Sequence, residues 1–499
     1  MPSAGFLIYS GVMPLIKTFI SIFCGYFLAK KGLFTPAASK GASQITMNVS
    51  LPLLVFANIV PAFTPQNISA LGPLFLTAFV YMALGFLGGA VIREVCYVPR
   101  NFWQGIIVLT GMSNWGNLPN AVVLSVTQQA PFDPSTDPQL GVSFVSIFIV
   151  SYHLVFWVCG AAHSLSWDYL PGVPQGEEAE RRCSWDEKPL GSLFARYILR
   201  KPCTSAEKAA CDSIPGSPVF PEEKKSKDPE AAFSVAVPEQ PYLDDPTEAD
   251  PDVQLVRRLS RLSALPAPHA VPELSRPVAA PDGPHDSGSV TAAPSVASLG
   301  RPRSFPASVV RTLRPLAAIV NPVTIAIAIA LPIALVQDLK ALFVDIASEG
   351  GPRWHGPDGK PPLAFIIDTA SFVGNIAVPL ALIMLGASFA RLRVPRPLSR
   401  LPLPAMLAVA LVKMALLPVV GVFMVQGMTA RGLIDRASRA ERFVAMFLSG
   451  TPAAVNQMIV ASLYAPDGDV DTLSAFLLVQ YIFMFFSSSA LTAVALLLL

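Results

Sequence analysis

Two long apolar segments of this chain are interrupted by proline, glycine and asparagine where a lipid-facing helix would be continuous. The first, 105–126, contains Gly-Met-Ser-Asn-Trp-Gly-Asn-Leu-Pro-Asn ending at Asn120, and the second, 443–464, contains Ser-Gly-Thr-Pro-Ala-Ala-Val-Asn-Gln ending at Gln457. Proline removes a backbone donor and clashes with the preceding turn, so both helices are expected to break near mid-bilayer. Polar backbone is tolerated at that depth only beside protein or a wet cavity, and paired breaks are typical of a secondary transporter's binding site.

The charged residues are concentrated in one part of the chain. Hydrophobic residues make up 52% of the sequence and charged residues 14%, against about 25% charged in a soluble domain. The stretch 168–304 holds 37 of the 70 charged residues and 20 of the 48 prolines. This stretch has too few apolar residues to bury a core, which predicts a mostly disordered cytosolic linker between two membrane domains, 1–167 and 305–499.

Hydrophobic windows long enough to cross about 30 Å of hydrocarbon fall into two groups of five. The windows are 6–28, 43–63, 70–92, 104–127 and 140–165, then 314–336, 363–389, 402–425, 442–464 and 473–498. The predicted fold class is therefore an all-α membrane protein with ten transmembrane helices, of which helices 4 and 9 are broken.

The two groups read as copies of one unit. The motif Asn-x-x-x-Pro-Leu occurs at Asn48 and again at Asn375, 327 residues later, and Pro119 and Pro452 are 333 residues apart. Because each unit has an odd number of spans, two copies in succession enter the membrane from opposite sides, which gives a 5+5 inverted repeat. The alternative is chance similarity between two Leu-rich helices that contain a proline.

Positive charge in short loops predicts the orientation. Lysine and arginine follow spans 1, 3 and 7 on the side of the long linker, and the loops 61–69 and 128–139 have neither. This places the linker in the cytosol and both termini on the far side. Two loops disagree, because 426–441 carries three arginines on the far side and 465–471 is acidic on the near side.

Nothing in the sequence indicates an enzyme. The six cysteines form no C-x-x-C pair, and no metalloprotease, nucleophile-elbow or phosphate-loop motif is present. We therefore expect no catalytic residue, no metal, no cofactor and no nucleic-acid partner. His153 has no second metal ligand one turn away, so we expect it to pack or to form a hydrogen bond between helices.

Three ionisable side chains lie within the predicted spans: Lys17, Asp368 and Lys413. Such groups are costly in hydrocarbon unless they face a cavity or a partner, so each is a functional candidate. Lys413 is the deepest, and either a ligand or coupling role or a structural ion pair accounts for it. Asp368 is near the far side and is expected to snorkel, and Lys17 lies in an otherwise ordinary span, which favours a structural role.

The linker offers regulatory candidates. Arg-Arg-Cys-Ser184 and Arg-Arg-Leu-Ser260 each place a hydroxyl two residues beyond an arginine pair, as basophilic kinases prefer, although short matches of this kind are common by chance. Residues 190–201 have helical apolar spacing with basic residues, which predicts either a helix on the lipid surface or a transient helix.

The chain resembles the auxin efflux carrier family in four features: ten spans in two groups, a long linker, the Asn-x-x-x-Pro-Leu motif and the proline-broken spans. The Gly-Asn-Leu-Pro run that ends at Pro119 is similar to the PIN-LIKES branch and its fungal relatives. The resemblance implies broken helices that cross at their prolines beside the carboxylate of an indole acid, and residence in the endoplasmic reticulum. It points to these substrate-binding residues, with the repeated asparagines included: Asn117, Pro119, Asn120, Pro452, Asn456, Gln457, Asn48 and Asn375.

An anionic substrate is also expected on physical grounds. Each new half-helix directs N–H groups and the positive end of its dipole to the midplane, where they stabilise a carboxylate. Acidic residues are absent from both breaks, so a proton-coupled or potential-driven carrier is favoured over a sodium symporter. Expected partners are a small organic anion, membrane lipids, a protein kinase and a second copy of the chain. The rival function is a regulatory membrane protein that binds a ligand without transporting it.

Overall fold

The computed structural model describes residues 4–64, 67–198, 321–392, 401–465 and 470–499, and these ranges contain helices and no β-strand. All described residues belong to one unit formed by both ends of the chain, 1–215 and 305–499. Its principal helices are α1 Ala4–Lys30, α2 Pro36–Ile59, α3 Ile68–Val95, α4 Trp103–Gly111, α5 Asn117–Thr127, α6 Asp137–Val158, α7 Pro189–Tyr197, α8 Pro322–Leu335, α9 Ala364–Arg391, α10 Leu403–Ala430, α11 Arg439–Leu448, α12 Asn456–Tyr464 and α13 Asp471–Leu498.

Six of these helices, α2, α3, α6, α9, α10 and α13, are long and apolar enough to cross a membrane, as counted within the described ranges. The prediction of an all-helical membrane protein is thus confirmed. Short helical turns connect the long elements at Arg100–Phe102, Ala161–Ser164, Leu165–Tyr169, Gly176–Glu180, Trp185–Glu187, Gln337–Ala341 and Ala347–Glu349.

The two apolar segments with a proline are each divided into two short helices. The backbone between α4 and α5 runs antiparallel to the backbone between α11 and α12, with a single bridge between Ser113 and Ala453. The Asn114 N–H donates to the Pro452 carbonyl at 2.7 Å, and the Ala454 N–H donates to the Met112 carbonyl at 3.2 Å. We call this pair of interruptions the crossover. Its mutual hydrogen bonds satisfy backbone groups that neither helix can satisfy by itself.

Proline position explains where α5 begins. Pro119 is the third residue of α5, and the interruption lies just before it, after Gly111. A proline in the first helical turn sacrifices no hydrogen bond, but its ring excludes a helical residue four positions earlier, so the helix cannot continue backwards. Wide π-type turns lie ahead of two further prolines, at Thr46–Ser50 before Pro52 in α2 and at Val412–Leu416 before Pro418 in α10.

Small residues bring the helices close together. A Cβ at Gly386 of α9 would meet the backbone of Ile22, and one at Gly25 of α1 would meet the backbone of Ile383. A Cβ at Gly85 of α3 would lie 2.5 Å from the Thr110 carbonyl oxygen in α4. Small residues at such contacts are the usual means by which membrane helices approach each other. They hold α1 against α9 and α3 against α4.

The first part of the predicted linker is tied to the helix ends. Asp168 is 3% exposed, and its carboxylate accepts the Gln104 N–H at 2.9 Å and the Gly105 N–H at 2.6 Å, at the start of α4. The Lys188 ammonium donates to the carbonyl oxygens of Arg93 and Cys96 at the end of α3, at 2.8 and 2.6 Å. An acid at a helix N-terminus and a base at a C-terminus both match the helix dipole. Burial raises the pKa of Asp168 to about 6, and the two N–H donors act against that shift.

Replacing Asp168 with alanine is expected to loosen the start of α4. Loss of a side-chain cap costs about 0.5–2 kcal/mol of helix stability, because the two N–H groups lose their acceptor. Hydrogen exchange of the peptide that covers 103–106 should accelerate by about two- to thirtyfold, since every 1.4 kcal/mol is tenfold. Asp358→Ala, in the exposed loop between α8 and α9, is the control and should leave that peptide unchanged. Unaltered exchange in Asp168→Ala would show that the contact does not hold α4.

Candidate functional site

A cavity of about 440 Å³ lies against the crossover, among α1, α2, α6 and α9. Its polar lining residues are Lys17, Thr18, Ser21, Asn58, Ser113, Asn114, Tyr152, His153, Asn375 and Asn456. Among the described residues that line it, none is aspartate or glutamate. Leu51, Leu54, Ile149 and Leu382 add apolar walls. A largely apolar cavity of about 300–1,000 Å³ with a few converging polar groups is the usual form of a small-molecule site.

The crossover supplies one polar end of this cavity. Ser113 and Asn114 lie in the first interruption, and Asn456 is the first residue of α12. The Asn114 side-chain amide faces the Tyr481 hydroxyl at 3.5 Å, and the Asn114 Oδ1 atom accepts the Gly116 N–H at 3.4 Å. Because both contacts are long, Asn114 keeps hydrogen-bonding capacity for a ligand.

Two polar side chains of α6, Tyr152 and His153, line the same cavity. Tyr152 and His153 are each 5% exposed; the Tyr152 hydroxyl lies beside the Asn456 side chain, and the His153 Nδ1 atom has no hydrogen-bond partner within the described ranges. A buried polar atom left unsatisfied costs about 1–3 kcal/mol, which a ligand or water molecule in the cavity would recover. Sequence reasoning did not single out Tyr152, and it assigned His153 to packing or to a hydrogen bond between helices.

Two of the predicted substrate-binding residues line this cavity: Asn375 and Asn456. Asn48, in the same motif as Asn375, is exposed on the outer surface, and its side-chain amide donates to the Gln44 carbonyl of its own helix at 2.8 Å. Pro452 contributes its backbone carbonyl to the crossover.

The side chains of Pro119, Asn120 and Gln457 lie around the crossover but not in the cavity lining. Pro119 is buried in the first turn of α5, and the Asn120 Oδ1 atom is buried and has no partner in the described part of the chain. Asn117 begins α5, and its side chain lies outside the described residues. Gln457 is fully buried, and its side-chain amide donates to the Val108 carbonyl at 3.2 Å.

Gln457 lines a second cavity, of about 510 Å³. This cavity is lined by the start of α4 and by acidic residues of the linker and of α13, namely Asp168, Glu177, Glu180 and Asp471. Neighbouring residues of α12 thus serve different cavities, Asn456 the first and Gln457 the second.

Lys413 is 0% exposed and reaches the crossover from α10. Its ammonium group donates to the Thr110 carbonyl at 3.0 Å, in the last turn of α4, and to the Ser113 hydroxyl at 2.8 Å. The ion pairs found among the described residues do not include it. A cation at the C-terminus of a helix is favoured by the helix dipole.

The remaining charged and modifiable candidates lie elsewhere. Lys17 lines the cavity, which its ordinary sequence context did not indicate. Asp368 is exposed and lies 3.8 Å from Lys360. Ser184 is exposed and begins the turn Trp185–Glu187, and Ser260 lies outside the described residues.

Comparison with known proteins agrees with this arrangement. A family described as membrane transport protein matches residues 10–492. The chain belongs to this family. The resemblance to auxin efflux carriers is thereby confirmed, and relatives include Protein PIN-LIKES 2 of Arabidopsis thaliana, which is 25% identical over 96% of this chain and 92% of its own length. The uncharacterized transporter YLR152C of Saccharomyces cerevisiae is 22% identical over 97% and 96% of the two chains. Protein ECM3 of the same yeast is 23% identical over 96% of both.

Proposed function

We propose that this membrane transport protein is a secondary carrier that moves a small organic anion, such as an indole-type carboxylic acid, by alternating access. The observation that carries the proposal is the cavity beside the crossover. It combines apolar walls with Ser113, Asn114, Asn375 and Asn456, and its described lining contains one lysine and no carboxylate. A carboxylate at the crossover and a ring against the apolar walls match this lining.

The proposed architecture is ten spans in a 5+5 inverted repeat. Helix packing supports it, because α1 packs on α9 as α8 packs on α2. In the same way α3 contacts α4 and α6, and α10 contacts α11 and α13. These pairs are what two copies of a five-span unit produce when the second copy is inverted. Under this proposal the two five-span halves move relative to each other at the crossover. The residues that form the crossover and its surroundings are Asn117, Pro119, Asn120, Pro452 and Gln457.

The proposed topology has a direct test. A tag inserted near Gly216 should be accessible only from the cytosol, and tags at both termini should be accessible only from the opposite face, because five spans separate each terminus from the linker. Protease protection in sealed membranes measures this. Termini and linker on the same side would contradict the ten-span arrangement.

The endoplasmic reticulum is the proposed location, by resemblance to the PIN-LIKES branch.

Transport is tested with purified protein in liposomes. We expect accumulation of radiolabelled indole-3-acetate above that in empty liposomes, with driving force from a proton gradient or a membrane potential and no requirement for sodium. Binding without accumulation would instead support the rival function, a regulatory membrane protein that holds its ligand. If the protein neither binds nor accumulates indole-3-acetate or any member of a panel of other organic anions, the proposed substrate class is wrong.

A protein kinase acting on the linker and a homodimer also stay proposals. Of the two candidate phosphorylation sites, Ser184 lies within the described residues. Its exposed hydroxyl lies beside the acidic side chains of Asp186 and Glu187. A phosphate there would add negative charge next to two carboxylates and weaken the turn Trp185–Glu187. Phosphopeptide mapping of the protein from its own cells tests both serine motifs.

A further inference from the structure

Lys413 is the most completely buried charged side chain in the described ranges. The Lys413 ammonium donates both of its observed hydrogen bonds, because the Thr110 carbonyl oxygen can only accept. The Ser113 oxygen accepts the other bond at 2.8 Å. The hydroxyl hydrogen of Ser113 is then left for a different acceptor, and no such acceptor is found in the described part of the chain. Ser113 itself lines the cavity.

Capping alone does not account for a lysine at this position. At the other half of the crossover the Tyr81 hydroxyl, in α3, donates to the Ala445 carbonyl in the last turn of α11 at 2.9 Å. Tyr81 and Lys413 are 332 residues apart and their acceptors 335 residues apart, close to the spacing of the repeated motifs. A neutral hydroxyl thus caps one half-helix and an ammonium group caps the other. The two ends of the crossover differ by one positive charge.

We propose that Lys413 is the charge-selecting residue of the cavity, which presents its positive charge to an anionic ligand through the hydroxyl group of Ser113. The inference deepens the proposed function and rests on it for the identity of the ligand. Lys413 is a positioning residue under this proposal, because Ser113 stands between it and the cavity. An anion that accepts the Ser113 hydrogen balances a charge which in the empty protein meets only neutral acceptors.

The electrostatic potential in the cavity can be measured without any substrate. All six cysteines are replaced by serine and Asn114, which lines the cavity, is replaced by cysteine. The reaction rate of this thiol is measured with an anionic methanethiosulfonate, the sulfonatoethyl reagent, and with a cationic one, the trimethylammonioethyl reagent. Each rate is divided by the rate of the same reagent with a free thiol. We expect the normalised anionic rate to exceed the cationic rate when Lys413 is present.

Substitution then assigns the effect to one residue. Lys413→Met should lower the anionic-to-cationic ratio by about tenfold, the size that one nearby charge produces at an intermediate dielectric. Lys413→Arg should restore it. Tyr81→Phe removes the corresponding cap without changing charge and should leave the ratio unaltered. A merely structural lysine predicts equal ratios in all four proteins.

Two results would overturn the inference, and a third would overturn only the proposed substrate. An anionic-to-cationic rate ratio of one or less in the protein that retains Lys413 would contradict the inference. This result does not depend on Lys413→Met, so it holds even where that variant does not fold. A ratio that survives Lys413→Met would assign the potential to Lys17 instead. Failure of indole-3-acetate to accumulate, together with a ratio that depends on Lys413, would refute the proposed substrate and leave the charge assignment supported.

Discussion

Replacing Asn456 with alanine is expected to weaken indole-3-acetate binding about ten- to a hundred-fold. Asn456 opens α12 at the crossover and lines the cavity. A hydrogen bond between a neutral donor and a charged group is worth about 1.5–3 kcal/mol in a desolvated site, and every 1.4 kcal/mol is tenfold in affinity. Equilibrium binding to purified protein measures the change, and protein abundance should stay at the wild-type level.

Asn48→Ala is the matched control for this experiment. Asn48 belongs to the same motif as Asn375, but its side chain is exposed and bonds to its own helix through the Gln44 carbonyl. We expect wild-type affinity in this variant. Equal losses in Asn456→Ala and Asn48→Ala would argue against the cavity as the binding site, and full affinity in Asn456→Ala would remove Asn456 from it.

The broken helices could be predicted because proline and glycine act locally. Pro119 and Pro452 identify both interruptions whatever surrounds them. The side chains that face the cavity were harder to predict, because the backbone of the crossover has no helical period from which a direction follows. Ser113 and Asn114 lie within the quoted motif and line the cavity although the sequence analysis does not propose them, whereas Asn120 and Gln457 are proposed there and do not line the cavity.

Repeated motifs did not imply repeated environments. Asn48 lies in a π-type turn of α2 and faces outward, whereas Asn375 lies within α9, directly after Gly374, and lines the cavity. The local geometry around each proline decides this, and a match of letters does not reveal it. Tyr152 is not proposed from the sequence, and His153 is assigned there to packing or to a hydrogen bond between helices, because α6 reads as an ordinary apolar span. Only packing determines which face of α6 meets the cavity.

Long-range polar contacts were outside the reach of pattern reasoning. Lys413 was recognised as a functional candidate because intramembrane charge is costly, but its partner Ser113 is 300 residues away. The composition of 168–304 likewise describes the whole stretch and does not predict the contacts of single residues. Asp168 and Lys188 each bind a helix end through one side chain. Such contacts depend on the fold as a whole.

The double variant Pro119→Ala, Pro452→Ala is expected to lower transport by about tenfold or more, which corresponds to at least about 1.4 kcal/mol in the rate-limiting step. Alanine restores the N–H of residue 119 and removes the ring that excludes a helical residue at Trp115, so α4 and α5 can approach one continuous helix. The Ser113–Ala453 bridge then loses its extended backbone. Indole-3-acetate uptake per unit of protein in liposomes measures the effect.

Pro73→Ala is the control for this variant, because Pro73 lies within the continuous helix α3, away from the crossover. It should leave uptake near the wild-type level, since α3 already continues through the proline. The two crossover prolines should also act separately, because each interrupts its own helix and both interruptions hold the hydrogen bonds between Met112 and Ala454 and between Asn114 and Pro452. Full uptake in the double variant at wild-type abundance would mean that the interruptions are not needed for transport, and the proposed mechanism would then have to place substrate movement elsewhere in the protein.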